Sequence, residues 1–440
     1  MGRMQAPRPD SLSPLPDPTL AGTIIVGMSG GVDSAVAAML LRDAGYAVQG
    51  LFMSNWEDDD DAYCTTAADF QDARRVCETL GIALHRASFA EQYRERVFEL
   101  FLREYSAGRT PNPDVVCNRE IKFGVCLDYM HRLGASWIAT GHYARLRQSC
   151  AGPQLLKAAD PAKDQSYFLH GIDAAALGRT VFPIGELRKT EVRRLAHAAG
   201  LPVYDKPDST GICFIGERPF QEFLSRHLRT EPGPIENDRG EILGEHRGLA
   251  LYTLGQRSGL GIGGRAGTAA APWYVADKDT RRNALIVVQD QDHPLLLSDA
   301  FDVQQMRWLN FDSDTAGQPL ECAVKTRYRQ NDLNCTAERL AAESAPGARD
   351  TLDGHRTSGA PTAGGVLRAS AEPVWRVNLA EPARAVTPGQ YAVFYRGTRC
   401  LGGGVIARRF NSGRIGSVRL AAAPQGEARE RRSKTALSAK

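Results

Sequence analysis

A short segment near the N-terminus combines the residue types that proteins use to bind phosphate. Gly30 and Gly31 have no Cβ, so their amides can approach an anion closely. Ser29 and Ser34 flank them with hydroxyls that can donate to phosphate oxygens, and Asp33 could hold the loop amides or a Mg²⁺ ion. A tight turn also favours glycines, but the serines and the aspartate together favour phosphate binding. The segment has no lysine of the Walker A type.

Two cysteines have surroundings that suit thiol chemistry. Pro111 and Pro113 predict an irregular loop, followed by a helix that begins near Cys117. A thiol at a helix N-terminus has a lowered pKa, and the thiolate is the nucleophile. Cys213 follows Gly211 in a stretch of small residues that predicts an exposed, flexible loop. Two unrelated buried thiols are the alternative interpretation.

Alternating strands and helices are predicted to position these groups. The β-branched run 23–26 predicts a buried strand, and residues 35–41 predict a helix after the glycine turn. A second strand over 46–53 completes a βαβ unit, which implies a parallel sheet. Ligands bind at the carboxyl ends of such strands, which would place Met53 near a nucleotide, although a core methionine fits equally well. A buried strand over 136–140 ends at the same edge.

The pattern changes in the C-terminal half of the chain. Short strands separated by turns follow residue 219, and from residue 301 they predict a β-barrel. A stretch rich in Ala, Gly, Ser and Pro, residues 341–373, predicts a disordered insertion between two strands. Arg327 and Tyr328 offer a phosphate contact beside a ring on which a base could stack.

Composition limits the classes of protein. The 440 residues are 42% hydrophobic, enough for two or three domains. No apolar run approaches the length of a membrane span and the start has no signal-peptide core, so we predict a cytoplasmic protein without membrane contact. The nine cysteines include no Cys-x-x-Cys pair, which argues against a zinc knuckle or a secreted disulfide framework, and no metal ligands are assigned. The acidic run 57–61 is interpreted as a solvated loop.

The net charge of +3 gives no evidence for a polyanion partner. The basic residues of the tail at 427–440 account for it, so the rest of the chain is close to neutral. Binding to RNA must therefore be argued from local groups of residues. One such group is Lys163, Asp164 and Gln165, which fits either a helix cap or a contact with RNA phosphate and base.

Several motifs resemble known proteins. Ser-Gly-Gly-Val-Asp-Ser at 29–34 resembles the pyrophosphate loop of ATP pyrophosphatases, which cleave ATP between the α and β phosphates. With five further motifs, the chain from about residue 23 to 406 resembles the bacterial tRNA-specific 2-thiouridylase family. Those motifs are Asn112-Pro113-Asp114 with Cys117, Gly141-His142-Tyr143, Lys163-Asp164-Gln165, the run 208–217, and Thr253-Leu254-Gly255-Gln256-Arg257.

The resemblance implies an activity. Such an enzyme adenylates the C2 oxygen of the wobble uridine in Lys, Glu and Gln tRNAs with ATP, and then installs sulfur from a protein persulfide. It implies ATP and Mg²⁺ as cofactors, and a persulfide donor that is a cysteine desulfurase or a sulfur-relay protein. Three ligands for an iron–sulfur cluster, Cys117, Cys213 and Asp114, are a further interpretation.

By resemblance, each site residue receives a role. Cys117 and Cys213 would form a disulfide during turnover, with Cys213 as the persulfide carrier and Asp114 as general acid or base. The residues assigned to ATP are Gly27, Met28, Ser29, Gly30, Gly31, Val32, Asp33, Ser34, Met53 and Gly141. The residues assigned to tRNA are Asn112, Pro113, Asp114, His142, Lys163, Asp164, Gln165, Arg327, Tyr328 and Gln390.

The predicted fold class is α/β, with a parallel-sheet pyrophosphate-loop domain followed by a small, mostly β central domain and a C-terminal β-barrel. Two alternatives stay open. One is another pyrophosphate-loop ligase or amidotransferase that needs no RNA, and the other is an RNA-binding or redox protein that does not hydrolyse ATP. The predicted boundaries are a disordered leader at 1–21, the catalytic domain at 22–217, the central domain at 218–298, the barrel at 299–420 and a basic disordered tail at 421–440.

Overall fold

The computed structural model describes residues 15–56, 66–208, 220–228, 230–262, 271–309, 318–340 and 373–410. Cys213, most of the predicted insertion and the basic tail lie outside these ranges. The first seven strands are β1 (Thr23–Met28), β2 (Ala47–Ser54), β3 (Ala83–Ser88), β4 (Ala135–Thr140), β5 (Ala144–Ser149), β6 (Gly152–Lys157) and β7 (Thr180–Val181).

A parallel five-stranded sheet forms the N-terminal part, in the order β3-β2-β1-β4-β7. The central strand β1 pairs in parallel with β2 and β4 and is buried from Ile24 onward, as its apolar sequence predicts. The α/β prediction is confirmed. The helices around it are α1 (Val32–Asp43), α2 (Thr66–Leu80), α3 (Ala90–Tyr93), α4 (Glu99–Ser106), α5 (Pro113–Val116), α6 (Cys126–Arg132), α7 (Ser166–Leu169), α8 (Ala174–Leu177) and α9 (Lys189–Ala198).

Two stretches of π-helix join these helices. Residues Arg94–Phe98 link α3 to α4, and Cys117–Val125 link α5 to α6. The helix that contains Cys117 therefore begins at Pro113, one turn earlier than predicted. Asn112 caps it by accepting hydrogen bonds from two backbone amides, and proline at the first helical position leaves no amide unpaired. Pro113 starts the helix, whereas Pro111 lies in irregular chain before it, as predicted from the sequence.

The segment 15–21, which the sequence places in a disordered leader, packs against this domain. Leu15 is 3% exposed within the same apolar cluster as Tyr46, and the Tyr46 hydroxyl donates to the carbonyl of Pro16 at 3.0 Å. An isolated leucine among prolines gives no periodic signal, so only the tertiary contact reveals this anchoring.

The central part contains a four-stranded sheet in the order β10-β11-β8-β9, preceded by a helix. Most of its pairs are antiparallel, but β11 and β8 run parallel. Its elements are α10 (Phe220–His227), β8 (Gly233–Asn237), β9 (Ile242–His246), a 3₁₀ turn (Leu249–Leu251), β10 (Tyr274–Asp279) and β11 (Ala284–Val288).

Six antiparallel strands of the C-terminal part close into a barrel, because the outer pair β12 and β17 is also hydrogen-bonded. This confirms the predicted barrel. Its elements are a 3₁₀ turn (Pro294–Leu296), β12 (Leu297–Trp308), β13 (Leu320–Lys325), β14 (Leu333–Arg339), β15 (Trp375–Arg384), β16 (Tyr391–Arg396) and β17 (Arg399–Phe410).

The N-terminal domain also contributes to the barrel sheet. Its β5–β6 hairpin pairs with β17 through Leu156 and Arg399, which the sequence did not predict. Across the described ranges, no helix is both long enough and apolar enough to cross a membrane.

Candidate active site

The glycine loop connects the buried end of β1 to the start of α1. Gly30 has a φ of +75°, which favours glycine, and Gly31 is the N-cap of α1. The Ser34 hydroxyl turns back into the loop, where it accepts from the amide of Ser29 at 3.2 Å and donates to the carbonyl of Gly31 at 3.2 Å. The loop therefore has a fixed shape at a helix N-terminus, where backbone amides favour an anion.

Neighbouring elements hold this loop from two sides. A Cβ at Gly30 would lie 2.3 Å from the backbone oxygen of Asp69, so α2 packs directly on the loop. Lys206 donates to the Gly30 carbonyl at 3.1 Å and pairs with Asp69 and Asp72. A Cβ at Gly141 would lie 2.6 Å from the backbone of Asp33, so the close approach that Gly141 permits here is to the start of α1.

Beside the loop lies a network of charged groups. Lys189 is 11% exposed and lies 2.7 Å from both Asp33 and Asp208. Lys163 binds the other oxygen of Asp208 at 2.7 Å, and the Tyr143 hydroxyl donates to Asp33 at 2.8 Å. Burial would raise the pKa of Asp208, but the hydrogen bonds from Lys163 and Lys189 lower it to about 2.

This network places two predicted residues differently from the sequence analysis. Lys163, assigned to tRNA, lies next to the glycine loop, and Asp33 contacts a lysine and a tyrosine. Lys189 and Lys206 were not predicted as site residues. Lys189 begins α9, and a single lysine at a helix start carries no recognisable signal.

Met53 lies close to the loop. If Gly27 carried a Cβ, that atom would lie 3.8 Å from the Met53 Cε. The Met53 side chain is half-buried near the carboxyl end of β2. Since β1 and β2 are parallel neighbours, their carboxyl ends meet at one edge of the sheet, as predicted.

The segment that carries Cys117 approaches the same edge. Phe123, from the π-helix that starts at Cys117, packs against His142 with ring centroids 6.0 Å apart, and His142 follows Gly141. Cys117 itself is 3% exposed within the main apolar cluster, and it lies one turn after the helix start at which the sequence placed it. Asp114, three residues earlier, lies in the first turn of this helix.

Asp114 is exposed to solvent, yet its surroundings perturb its carboxyl group. Desolvation by nearby protein atoms raises its pKa, and the charge of Lys122 opposes that effect. Because the residue keeps contact with water, we expect solvent to screen part of both effects. A carboxyl group with a raised pKa suits proton transfer near neutral pH.

The C-terminal barrel holds the Asn112–Asp114 segment in place. Gln390 donates from Nε2 to the carbonyl of Thr110 at 2.9 Å, and the Thr110 amide donates to the carbonyl of Pro388 at 3.0 Å. Gln390, predicted to contact tRNA, therefore contacts the chain just before Asn112. The proximity of these two distant segments comes only from tertiary structure.

Other residues assigned to tRNA have internal partners. Asp164 is 5% exposed and accepts from the amides of Ala158 and Ser166, which is the helix-capping interpretation. Gln165 accepts from the amide of Tyr143 at 2.9 Å. His142 is buried against Thr140, and burial followed by the charge of Lys122 lowers its pKa well below the usual value.

Arg327 and Tyr328 occupy a turn after β13. The Arg327 guanidinium donates to the carbonyls of Leu254 and Ala385 at 2.7 and 2.8 Å, so it joins the central part to the barrel. Tyr328 is half-buried against Phe168, with ring centroids 4.5 Å apart.

Some of the residues suggested as metal ligands lie within the described ranges. These ranges contain no group of three or more His, Cys, Asp or Glu side chains that could hold a metal ion. The oxygens of Asp33, predicted as a Mg²⁺ ligand, accept from Lys189 and Tyr143. Cys213, one of the three suggested iron–sulfur ligands, lies outside the described ranges.

Comparison with known proteins identifies the family. Three family models match successive parts of the chain: a tRNA methyl transferase HUP domain at residues 22–217, a tRNA methyl transferase PRC-barrel domain at 221–289 and an aminomethyltransferase beta-barrel domain at 356–406. A tRNA-specific 2-thiouridylase MnmA from Verminephrobacter eiseniae is 54% identical over 87% of this chain and 98% of its own length. The MnmA of Methylococcus capsulatus is 52% identical over 88% and 97%. The chain belongs to the MnmA family of tRNA-specific 2-thiouridylases.

Proposed function

We propose that this protein is a tRNA-specific 2-thiouridylase. It uses ATP to adenylate the C2 oxygen of the wobble uridine in Lys, Glu and Gln tRNAs, and then replaces that oxygen with sulfur to give 2-thiouridine, AMP and pyrophosphate. The observation that carries the proposal is that this chain is more than 50% identical to MnmA proteins over nearly their whole length. The shape of the glycine loop supports it independently.

In the activation step, the loop binds the phosphates of ATP. Backbone amides at the start of α1 and the hydroxyls of Ser29 and Ser34 are the donors of this loop. The ammonium groups of Lys189 and Lys163 lie beside it, paired with Asp33 and Asp208. The uridine oxygen attacks the α-phosphate, and pyrophosphate leaves. Mg²⁺ would accompany the ATP phosphates, since the Asp33 oxygens already accept from Lys189 and Tyr143.

In the transfer step, Cys213 carries the sulfur as a persulfide. Its terminal sulfur bonds to C2 as AMP leaves with the electron pair of the C–O bond. The Cys117 thiolate then attacks the Cys213 sulfur, which releases the thiolated base and forms a Cys117–Cys213 disulfide. Two equivalents of an external thiol reduce this disulfide and leave as their own disulfide, and Asp114 serves as the acid or base.

The position of Asp208 supports a role for Cys213 near the loop. Asp208 is the last described residue before the segment that contains Cys213, and Lys189 joins it to Asp33. Five residues of extended chain span about 17 Å at most. The chain from Asp208 to Cys213 is short enough for the role proposed for Cys213 beside the nucleotide loop.

The tRNA surface is proposed to lie where the barrel meets the Asn112–Asp114 segment. Arg327 and Gln390 make contacts within the protein, so we assign them to positioning this surface. Arg329 is exposed, and its guanidinium lies 5.4 Å from the ring centroid of the half-buried Tyr328, so we assign these two residues to RNA contact.

One reaction mixture tests this function. Purified protein with ATP, Mg²⁺, a persulfide donor such as a cysteine desulfurase with cysteine, and unmodified tRNA should yield AMP, pyrophosphate and 2-thiouridine together. AMP that forms without dependence on tRNA would favour a ligase that needs no RNA, and no AMP at all would favour a binding or redox protein. Asp33→Ala should abolish AMP formation while tRNA affinity stays near that of the wild type.

Cysteine variants test the transfer step. Cys117→Ser and Cys213→Ser should each abolish 2-thiouridine while activation by ATP, measured as pyrophosphate release, persists at least in part. A single turnover of wild-type enzyme should accumulate the disulfide. Normal thiolation by either variant would overturn the assignment. Iron content and visible absorbance after anaerobic purification test the iron–sulfur alternative.

A further inference from the structure

The barrel contains a second pair of thiols, far in sequence from Cys117. Cys322 on β13 and Cys335 on β14 are direct register partners in an antiparallel pair, and their sulfur atoms lie 3.7 Å apart. Both are free thiols in this structure. Direct partners in antiparallel strands have Cα atoms about 4.5–5.5 Å apart, which falls inside the range that a disulfide spans.

A surface cleft with a volume of about 530 Å³ opens beside this pair. Both cysteines line it, together with Asn378, Tyr395 and Arg396. Cys322 is half-buried, whereas Cys335 is only 6% exposed. A small molecule in the cleft would therefore reach Cys322 first.

The two thiols also differ in their electrostatic surroundings. The hydrogen bond from the Cys335 thiol lowers the pKa of Cys322, burial opposes that effect, and the positive charge of Arg396 adds to it. The same hydrogen bond and burial raise the pKa of Cys335. Cys322 is therefore the better nucleophile, and Cys335 is the resolving thiol.

We propose that Cys322 and Cys335 form a thiol–disulfide exchange site that reacts with a low-molecular-weight disulfide such as oxidised glutathione. This proposal does not depend on the tRNA reaction, which uses other cysteines. Arg396 would attract a carboxylate of the glutathione molecule into the cleft.

The exchange proceeds in two balanced steps. The Cys322 thiolate attacks one sulfur of oxidised glutathione, which forms a mixed disulfide and releases one glutathione thiolate. Cys335 then loses its proton and attacks the Cys322 sulfur, which forms the Cys322–Cys335 disulfide and releases the second glutathione. The protein pair is oxidised by two electrons, and the glutathione disulfide is reduced to two thiols.

Peptide mapping of the full chain tests the proposal. Trypsin separates the two thiols, since cleavage after Arg307, Lys325, Arg329 and Arg339 leaves Cys322 alone in peptide 308–325 and Cys335 alone in peptide 330–339. After incubation with oxidised glutathione, we expect these peptides to be joined by a disulfide that dithiothreitol cleaves. If no disulfide joins these two peptides after the incubation, the proposal is overturned.

Two variants assign the roles. Cys335→Ser should trap a stable glutathione adduct on Cys322, because no second thiol can displace it. Cys322→Ser should leave Cys335 unmodified, because that thiol is buried. An adduct on Cys335, or none on Cys322 in the Cys335→Ser protein, would refute this division.

Controls separate exchange from general thiol reactivity. Cys150 is exposed and is the control thiol in wild-type protein, where its glutathione adduct should persist rather than resolve. In unoxidised protein, alkylation of Cys322 should be on the order of tenfold faster than that of Cys335. Equal rates would contradict the proposed order of attack even if a variant failed to fold.

Discussion

The backbone shape of the glycine loop can be tested by replacing Gly30 with alanine. Its φ of +75° is strained for alanine, and the new Cβ would lie 2.3 Å from the Asp69 backbone oxygen. That oxygen belongs to α2, and Lys206 ties Asp69 and the Gly30 carbonyl together. Neither group can move without shifting the loop, so the variant must displace the amides that bind phosphate.

Gly81 provides a matched control. It also has a positive φ, +68°, but a Cβ there would meet no atom within 4 Å. Gly81→Ala should therefore lose about 1–2 kcal/mol of unfolding free energy from backbone strain alone, with normal activity. Gly30→Ala should in addition lose AMP formation on the order of a hundredfold, about 2.7 kcal/mol, the effect of misplacing one charge-stabilising donor.

Three measurements distinguish the outcomes. AMP formation with saturating tRNA reports the loop, urea unfolding reports stability, and tRNA affinity should stay unchanged in both variants. If Gly30→Ala forms AMP at a rate within about threefold of Gly81→Ala, the close packing of α2 does not set the loop's shape, and the reasoning fails.

Three further predictions concern stability. Asp302 is 1% exposed and accepts from two arginine side chains at 2.5 and 2.6 Å, so Asp302→Ala should lower the unfolding free energy by about 3–5 kcal/mol in urea titrations. Burial lowers the pKa of His170 from 6.5 to about 4. The unfolded state therefore binds a proton that the folded state does not, so His170 should contribute a loss of about 2 kcal/mol of unfolding free energy from pH 7 to 4.5. His170→Gln should remove this contribution and leave the one from His142, whose pKa burial also lowers. Gln390→Ala should lose about 1 kcal/mol of unfolding free energy and keep its tRNA affinity. Weaker tRNA binding with an unchanged unfolding free energy would instead show that Gln390 contacts the RNA.

The sequence by itself determined the elements whose signals are local. The β-branched run of β1, the glycine turn and α1 are adjacent in the chain, and hydrophobic periodicity specifies such units. The parallel sheet follows from the βαβ order and the barrel from repeated short strands. The family motifs are continuous in sequence as well, so the resemblance located the glycine loop, Asp114, Cys117 and Cys213 without coordinates.

Only the tertiary structure decided which distant side chains meet. Lys189 joins Asp33 to Asp208, and Gln390 contacts the carbonyl of Thr110. A single lysine or glutamine has no periodic signature, because its partner is chosen by chain packing. Burial is decided in the same way: Cys117 and Asp164 lie in polar sequence but are covered by elements from elsewhere in the chain. A linear sequence records neighbours along the backbone, whereas desolvation and charge pairing depend on neighbours in space.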